Sequence, residues 1–173
     1  MGSPTDLTEY RAWAQLRIDA LVRALDGIPA ERTRYHVCWG SWNAPHVGDI
    51  PLRDIVDLVL QVPVGGYQIE QANPRHEHEW QVWKDVELPE GRKLIPGLIS
   101  HVTNVVEHPE LVAERIVRLA EIVGPDNVIA GTDCGFAQAP TSSACTRASS
   151  GPSSARWSTA RGWPARACTA RTP

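Results

Sequence analysis

The sequence has no apolar run that approaches the ~20 residues of a membrane-spanning helix. Its first residues, MGSPTDLTEY, lack the basic and then apolar order of a signal peptide. The formal net charge of −3 lacks the positive balance that nucleic acids and anionic membranes attract. We therefore expect no nucleic-acid or membrane partner and a cytoplasmic location, where the four cysteines are thiols or metal ligands rather than disulfides.

Residues 139–173 contain no Leu, Ile, Val, Met or Phe and no acidic residue. Without an apolar period this segment cannot bury enough surface to offset chain entropy, and we predict a disordered, low-complexity tail. Its bias toward Ala, Arg, Ser, Gly, Trp and Pro is typical of GC-rich codons read out of frame. We hypothesise that the tail is the product of a frameshift.

The first 138 residues alternate helical and strand patterns. A capping box at Asp6 and Glu9 predicts one helix, Asp49 with Pro51 predicts a second, and Pro109 opens a third. Strand patterns occur at 34–39, 66–70, 94–99 and 127–132.

This alternation predicts an α/β fold with about four parallel strands joined by crossover helices. A closed (β/α) barrel has eight strands and about 250 residues, so the body has the size of half a TIM barrel. A small open α/β sheet fits the same pattern, and composition does not choose between the two.

Four candidate metal ligands fall at predicted strand ends. His36 and Cys38 are two positions apart, so both side chains point to one face of the first strand. Glu70 ends the second strand and Cys134 follows the fourth. Because the carboxyl ends of parallel strands meet at one edge, we expect these groups to converge, and zinc favours this mixture of Cys, His and carboxylate.

A simpler interpretation stays open for each residue alone. A cysteine on a buried strand is usually a small core hydrophobe, and a glutamate at a strand end is usually solvated. Similarly, His76 and His78 in RHEHEW fit a solvated loop better than a second metal site.

Three further residues are candidates for the surroundings of the site. Asp133, next to Cys134, is expected to orient backbone or a ligand. Trp39 and His46 are expected to line the pocket, although Trp39 fits buried packing equally well. Asp49 fits either the mouth of the site or a helix cap.

The motifs HVCWG, YQIE, GLISHVTN and GTDCGF, in this order and spacing, resemble the zinc-binding half of cobalamin-independent methionine synthases. The variants Trp39-Gly40 and PHVGDIPL are closer to the branch that includes epoxyalkane:coenzyme M transferases. The resemblance covers residues 6–138 and implies half of a (β/α) barrel. We therefore divide the chain into a partial barrel, residues 1–138, and the tail, residues 139–173.

The resemblance implies that His36, Cys38, Glu70 and Cys134 hold Zn²⁺. The coenzyme M branch uses one histidine and two cysteines, so Glu70 is the ligand on which the branches differ. His101 matches the family's histidine that is proposed to donate a proton to the leaving group.

A thiol has a pKa of about 8.5, and its thiolate is the nucleophile. A zinc ion deprotonates a bound thiol at neutral pH. The implied reaction is therefore methyl transfer from a methyltetrahydrofolate-like donor to homocysteine. The alternative is the opening of an epoxide by coenzyme M or a similar thiol.

The family's N-terminal half-barrel, which contacts the folate, has no counterpart in this sequence. We accordingly expect impaired activity, and a need for a separate N-terminal half-barrel chain or for self-association. A further alternative is a non-catalytic zinc-binding subunit or remnant.

Overall fold

The computed structural model of the chain describes residues 6–40, 46–103 and 105–135. The predicted disordered tail, residues 139–173, lies outside the described residues. Within the described ranges, no helix combines the length and the apolar content that a bilayer crossing requires.

Helix α1, Leu7–Ala24, begins where the capping box predicts. The side chain of Asp6 accepts a hydrogen bond of 2.8 Å from the backbone N–H of Glu9, which satisfies one of the donors at the helix start. The turn after the helix contains Gly27 with a φ of 74°, a conformation that favours glycine.

Three strands form a parallel sheet in the order β1-β2-β3: Arg34–Val37, Gly66–Ile69 and Lys93–Pro96. Each strand overlaps a segment that the sequence predicts to be a strand, and β3 begins one residue before its predicted segment. In the register of the sheet, His36 of β1 is opposite Gln68 of β2. The carboxyl ends of the three strands therefore lie at one edge.

The predicted fourth strand, 127–132, lies beside β3 in parallel orientation. Its contacts with β3 are two isolated bridges, Leu94 with Val128 and Gly97 with Gly131. The backbone N–H of Ile129 donates to the Leu94 carbonyl at 2.9 Å. The position and direction of the fourth segment agree with the prediction, but its pairing is less regular.

The second predicted helix is shorter than the sequence suggests. A 3₁₀ turn, Leu52–Asp54, precedes a single turn of α-helix, α2, Val56–Val59. Asp49 does not cap this helix; its carboxylate lies against His46 and His76.

The predicted polar loop after β2 contains an eight-residue 3₁₀ helix, Glu77–Lys84. His76, which precedes it, is buried, so the solvated interpretation of this residue is wrong, whereas His78 is exposed. Helix α3, Pro109–Val123, follows β3 and ends at Gly124, whose φ is 92°.

The hydrophobic core lies between the sheet and the helices. Tyr67, Ile69 and Leu94 on the strands are almost completely buried, and α3 adds Leu119. A smaller cluster of Leu98, Ile99 and Val112 lies next to the strand ends. This packing fixes the edge of the sheet where the candidate ligands lie.

Candidate metal centre

The first strand presents His36 and Cys38 on the same face, as the alternation of a strand requires. His36 lies within β1 and Cys38 is the first residue after it. Both side chains are exposed. Within the part of the chain that the structure describes, the sulfur of Cys38 is in no disulfide.

Cys134 reaches this pair from the far end of the described chain. Its Sγ lies 3.0 Å from Nε2 of His36. The ligand atoms of His36, Cys38 and Cys134 all lie within 4.8 Å of one another, and Cys134 is buried. The convergence of these three predicted ligands is therefore present in the folded chain.

Glu70 belongs to a second group that shares Cys134. The ligand atoms of Glu70, His101 and Cys134 also lie within 4.8 Å of one another, and all three residues are buried. Nδ1 of His101 is 4.0 Å from Oε1 of Glu70. The predicted ligand Glu70 and the predicted proton donor His101 thus lie together on the buried side of the centre.

Several polar atoms of this second group have no hydrogen-bond partner among residues 6–40, 46–103 and 105–135. They are Oε1 of Glu70 and both ring nitrogens of His101, all of them buried. Such atoms are rare in folded proteins because each costs about 1–3 kcal/mol. A cation at this centre would satisfy Oε1 of Glu70, and nitrogen, sulfur and carboxylate oxygen are the donors that zinc takes. The residues present therefore fit a zinc ion.

Partial desolvation lowers the pKa of both histidines of the centre. Desolvation lowers the pKa of His36, and the charge of Glu70 opposes this only in part. Desolvation likewise lowers the pKa of His101, with Glu70 opposing it and His36 adding to it. Both imidazoles are consequently neutral at neutral pH, the form that binds metals or accepts a proton.

Asp133 orients backbone, as its position beside Cys134 predicts. Its Oδ1 accepts hydrogen bonds from the backbone N–H groups of Gln71 and Ala72, each at 2.9 Å. The residue is fully buried, and desolvation raises its pKa to about 7. Asp133 therefore ties the chain after Glu70 to the chain before Cys134.

Trp39 both packs against the hydrophobic core and lines a cavity. Its Nε1–H donates to the Ile50 carbonyl at 2.7 Å, and its ring is partly buried against the core. Together with Cys38 it lines a cavity of about 710 Å³ between the start of α1 and residues 48–55. His46 lies with its Nδ1 3.1 Å from Asp49.

Arg115, a buried arginine on α3, is not among the residues that the sequence predicts to belong to the site. Its guanidinium donates to the carbonyls of Leu98 (2.8 Å) and Ala72 (3.3 Å) and lies 3.7 Å from Glu107. These contacts join the chain segments that follow β2 and β3. Its spacing gave a signal, because position 115 shares one helical face with apolar positions 112 and 119.

No protein-family model matches the chain. Among curated proteins, the 2-hydroxypropyl-CoM lyase of Xanthobacter autotrophicus (strain Py2) is 26% identical over 152 residues, which cover 73% of this chain and 40% of the relative.

Among solved structures, a B12-independent methionine synthase from Shewanella sp. W3-18-1, in complex with selenomethionine, matches with a TM-score of 0.73 at 18% identity. The match covers 96% of this chain and 47% of that protein, and it confirms an α/β fold equivalent to part of a methionine synthase barrel. The chain thus spans less than half of the length of either protein. Together the two likenesses confirm the predicted resemblance to the superfamily of cobalamin-independent methionine synthases and epoxyalkane:coenzyme M transferases.

Proposed function

We propose that this chain carries the zinc centre of an enzyme that transfers a methyl or alkyl group to a small thiol. One observation carries the proposal: Cys134 lies within ligand distance of His36 and Cys38, from which it is far removed in sequence. Two thiols and an imidazole at a strand edge form a soft donor set suited to zinc. The resemblance to enzymes of thiol chemistry agrees with this assignment.

When bound, zinc would keep a coordinated substrate thiol in its thiolate form at neutral pH. His36, Cys38 and Cys134 would hold the ion. Glu70 would be a fourth ligand, because its Oε1 lies beside His101 at the centre and has no hydrogen-bond partner among the described residues.

His101 is proposed to handle the proton of the reaction. The substrate thiol loses one proton on ionisation, and the neutral imidazole of His101 can accept it. As the sulfur forms its bond to carbon, the bond between that carbon and the leaving atom breaks in the same step. His101 then returns the proton to that atom, so the reaction needs no other acid.

For methyl transfer, the thiol is homocysteine and the leaving atom is the amine nitrogen of a methyltetrahydrofolate-like donor. The carboxylate of Glu70 beside Cys134 supports this methionine synthase-type reaction, which we place first.

The second candidate is the alkylation of coenzyme M or a similar thiol by an epoxide, with the ring oxygen as leaving atom. Trp39-Gly40 in the sequence and the curated relative, a 2-hydroxypropyl-CoM lyase, support it.

Both reactions need a site for the electrophile opposite the zinc centre. His36, on the edge strand β1, and Cys38, directly after this strand, are exposed, so the electrophile can approach the centre from their side. We propose that a complementary half-barrel, from a separate chain or from a second copy, covers this side. If no electrophile reacts when the chain is combined with a separate half-barrel chain or with a second copy, the chain is instead a non-catalytic zinc-binding subunit.

Metal analysis and a paired assay test the proposal. We expect about one zinc per chain in the purified protein, and its loss in Cys38→Ser and in Cys134→Ser. Cys145→Ser is the matched control, because it removes a thiol of the tail and should retain zinc. Thiol alkylation with a methyltetrahydrofolate donor and with an epoxide would then separate the two reactions. Zinc-free wild-type protein, or zinc retained in both site variants, would contradict the proposal.

A further inference from the structure

His76 and Trp39 form a stacked pair that links two strand ends. Their ring centroids are 4.0 Å apart and their planes differ by 19°. Trp39 is two residues beyond β1, and His76 immediately precedes the 3₁₀ helix that follows β2. The pair therefore joins the chain next to Cys38 to the chain after Glu70.

The ring of His76 is held by carboxylates at both nitrogens. Nδ1 lies 2.9 Å from Oε2 of Glu79, and Nε2 lies 3.2 Å from Oδ2 of Asp49. Only the imidazolium form can donate from both nitrogens at once. The side chains of His76 and Glu79 are each 5% exposed, so water competes little for these bonds.

The surrounding charges favour a cation on His76. Glu79 also accepts a hydrogen bond from the backbone N–H of Leu52, which fixes its carboxylate. The carboxylate of Asp49 also lies 3.5 Å from Nε of Arg75 and 3.1 Å from Nδ1 of His46. Burial alone lowers the pKa of His76, but the hydrogen bonds and charges of Glu79 and Asp49 outweigh it, and the pKa is raised.

Trp39 connects the fixed ring of His76 to the candidate ligands Cys38 and Glu70. Its ring is fixed by the bond to Ile50, and its backbone N–H points to Oε2 of Glu70 at 3.5 Å. Since Trp39 follows Cys38 directly, the direction of its backbone sets the direction of the cysteine. A cation stacked on an indole face is attracted by the negative charge density of that face.

We propose that His76, as an imidazolium stacked on Trp39, is a positioning residue that fixes Cys38 and Glu70 in the metal centre. The inference rests on the proposed zinc site for its role in metal binding. It gives a purpose to the histidine of the RHEHEW segment that the sequence alone leaves unexplained.

The experiment compares His76→Phe with His78→Phe. Phenylalanine retains a flat ring at position 76 but removes the charge and both hydrogen bonds. His78 is exposed two positions away and provides the matched control. We expect zinc affinity, measured by chelator competition, to fall about tenfold or more in His76→Phe. This is the usual loss when a residue that orients a metal ligand is mutated. We expect it to be unchanged in His78→Phe.

Two measurements without metal separate this inference from the proposed function. Long-range ¹H–¹⁵N NMR should show both ring nitrogens of His76 protonated at pH 7. Mass spectrometry of the Cys38 peptide should show severalfold faster alkylation by iodoacetamide in His76→Phe than in His78→Phe. If wild-type protein binds no zinc but these two results hold, the proposed function fails and the positioning role of His76 remains.

A neutral His76 at pH 7, or equal Cys38 alkylation rates in the two variants, would overturn the inference. Should His76→Phe fail to fold, Glu79→Gln is the second variant, because it keeps an acceptor for Leu52 while removing one charge. It should lower the pH at which His76 titrates and weaken zinc binding in the same direction. An unchanged titration of His76 in Glu79→Gln would equally overturn it.

Discussion

Gly97 lies directly against Asp133, so that a Cβ atom added to Gly97 would come within 2.8 Å of the Cα of Asp133. The side-chain carboxylate of Asp133 occupies the remaining space above this glycine. Position 97 therefore has to lack a side chain for Asp133 to reach the backbone after Glu70.

Gly97→Ala is expected to reduce stability by about 1–3 kcal/mol, the usual cost of forcing extra atoms into a packed site. The free energy of unfolding in urea measures the effect. Gly48→Ala is the control, because a Cβ there meets no atom of the described residues within 4 Å. Equal stabilities of the two variants would show that Asp133 can move away at little cost.

Asp133→Leu is expected to destabilise the fold, because the backbone N–H groups of Gln71 and Ala72 lose their acceptor. Each buried donor left without a partner costs about 1–3 kcal/mol. Asp133→Asn retains Oδ1 and should unfold close to the wild type. If both variants unfold at the same urea concentration, these hydrogen bonds contribute nothing measurable.

Arg115→Met is expected to cost about 3–5 kcal/mol, because it leaves the buried carboxylate of Glu107 without its cation. Glu107→Gln combined with Arg115→Met removes both charges and should recover part of the loss. A double-mutant cycle from urea unfolding gives the coupling between the two residues. A coupling near zero would mean that Arg115 stabilises the fold through its other contacts, which are the bonds to the Leu98 and Ala72 carbonyls and the ion pair with Glu77 at 3.0 Å.

Glu70→Gln and Cys134→Ser should differ in their effect on zinc. Cys134 belongs to both groups of ligand atoms, whereas Glu70 belongs only to the group with His101. We expect Glu70→Gln to keep one zinc per chain with weaker affinity, and Cys134→Ser to lose it. His101→Asn should keep zinc and lose turnover. Competition with a chromophoric chelator measures the affinities, and loss of zinc in Glu70→Gln would make the carboxylate an essential ligand.

The pH dependence of stability should carry a contribution from His76. Its pKa is raised above the ordinary 6.5, so the folded chain holds this proton more tightly than the unfolded chain. The contribution is therefore complete below pH 6.5 and is lost as the pH rises through the raised value. The difference in unfolding free energy between wild type and His76→Phe, followed from pH 5 to 9, should shrink in that direction. A difference that grows with pH would reverse the assignment.

The sequence predicts those parts of the structure that depend on local patterns. The Asp6 cap, the three strands and α3 all follow from spacing and from residues that start or stop a helix. The meeting of His36 and Cys134 also follows, because parallel strands place their carboxyl ends at one edge whatever the length of the crossovers.

The remaining features depend on contacts between distant polar residues. His76 is buried because Glu79 and Asp49 neutralise it, and Asp49 lies 27 positions away on a different loop. Arg115 is buried because it finds carbonyl groups after two strands. In a single sequence such residues resemble solvated loops or surface charges, since no period along the chain records which carboxylate or carbonyl will be near.

The separation of 98 positions between His36 and Cys134 has a consequence for synthesis of the protein. At about 5–20 residues per second, translation exposes the His36 and Cys38 pair for roughly 5–20 s before Cys134 is made. During that interval the nascent chain offers a thiol and an imidazole to any soft metal or oxidant in its surroundings. Binding of the ion by all three ligands is therefore expected only after Cys134 has been made.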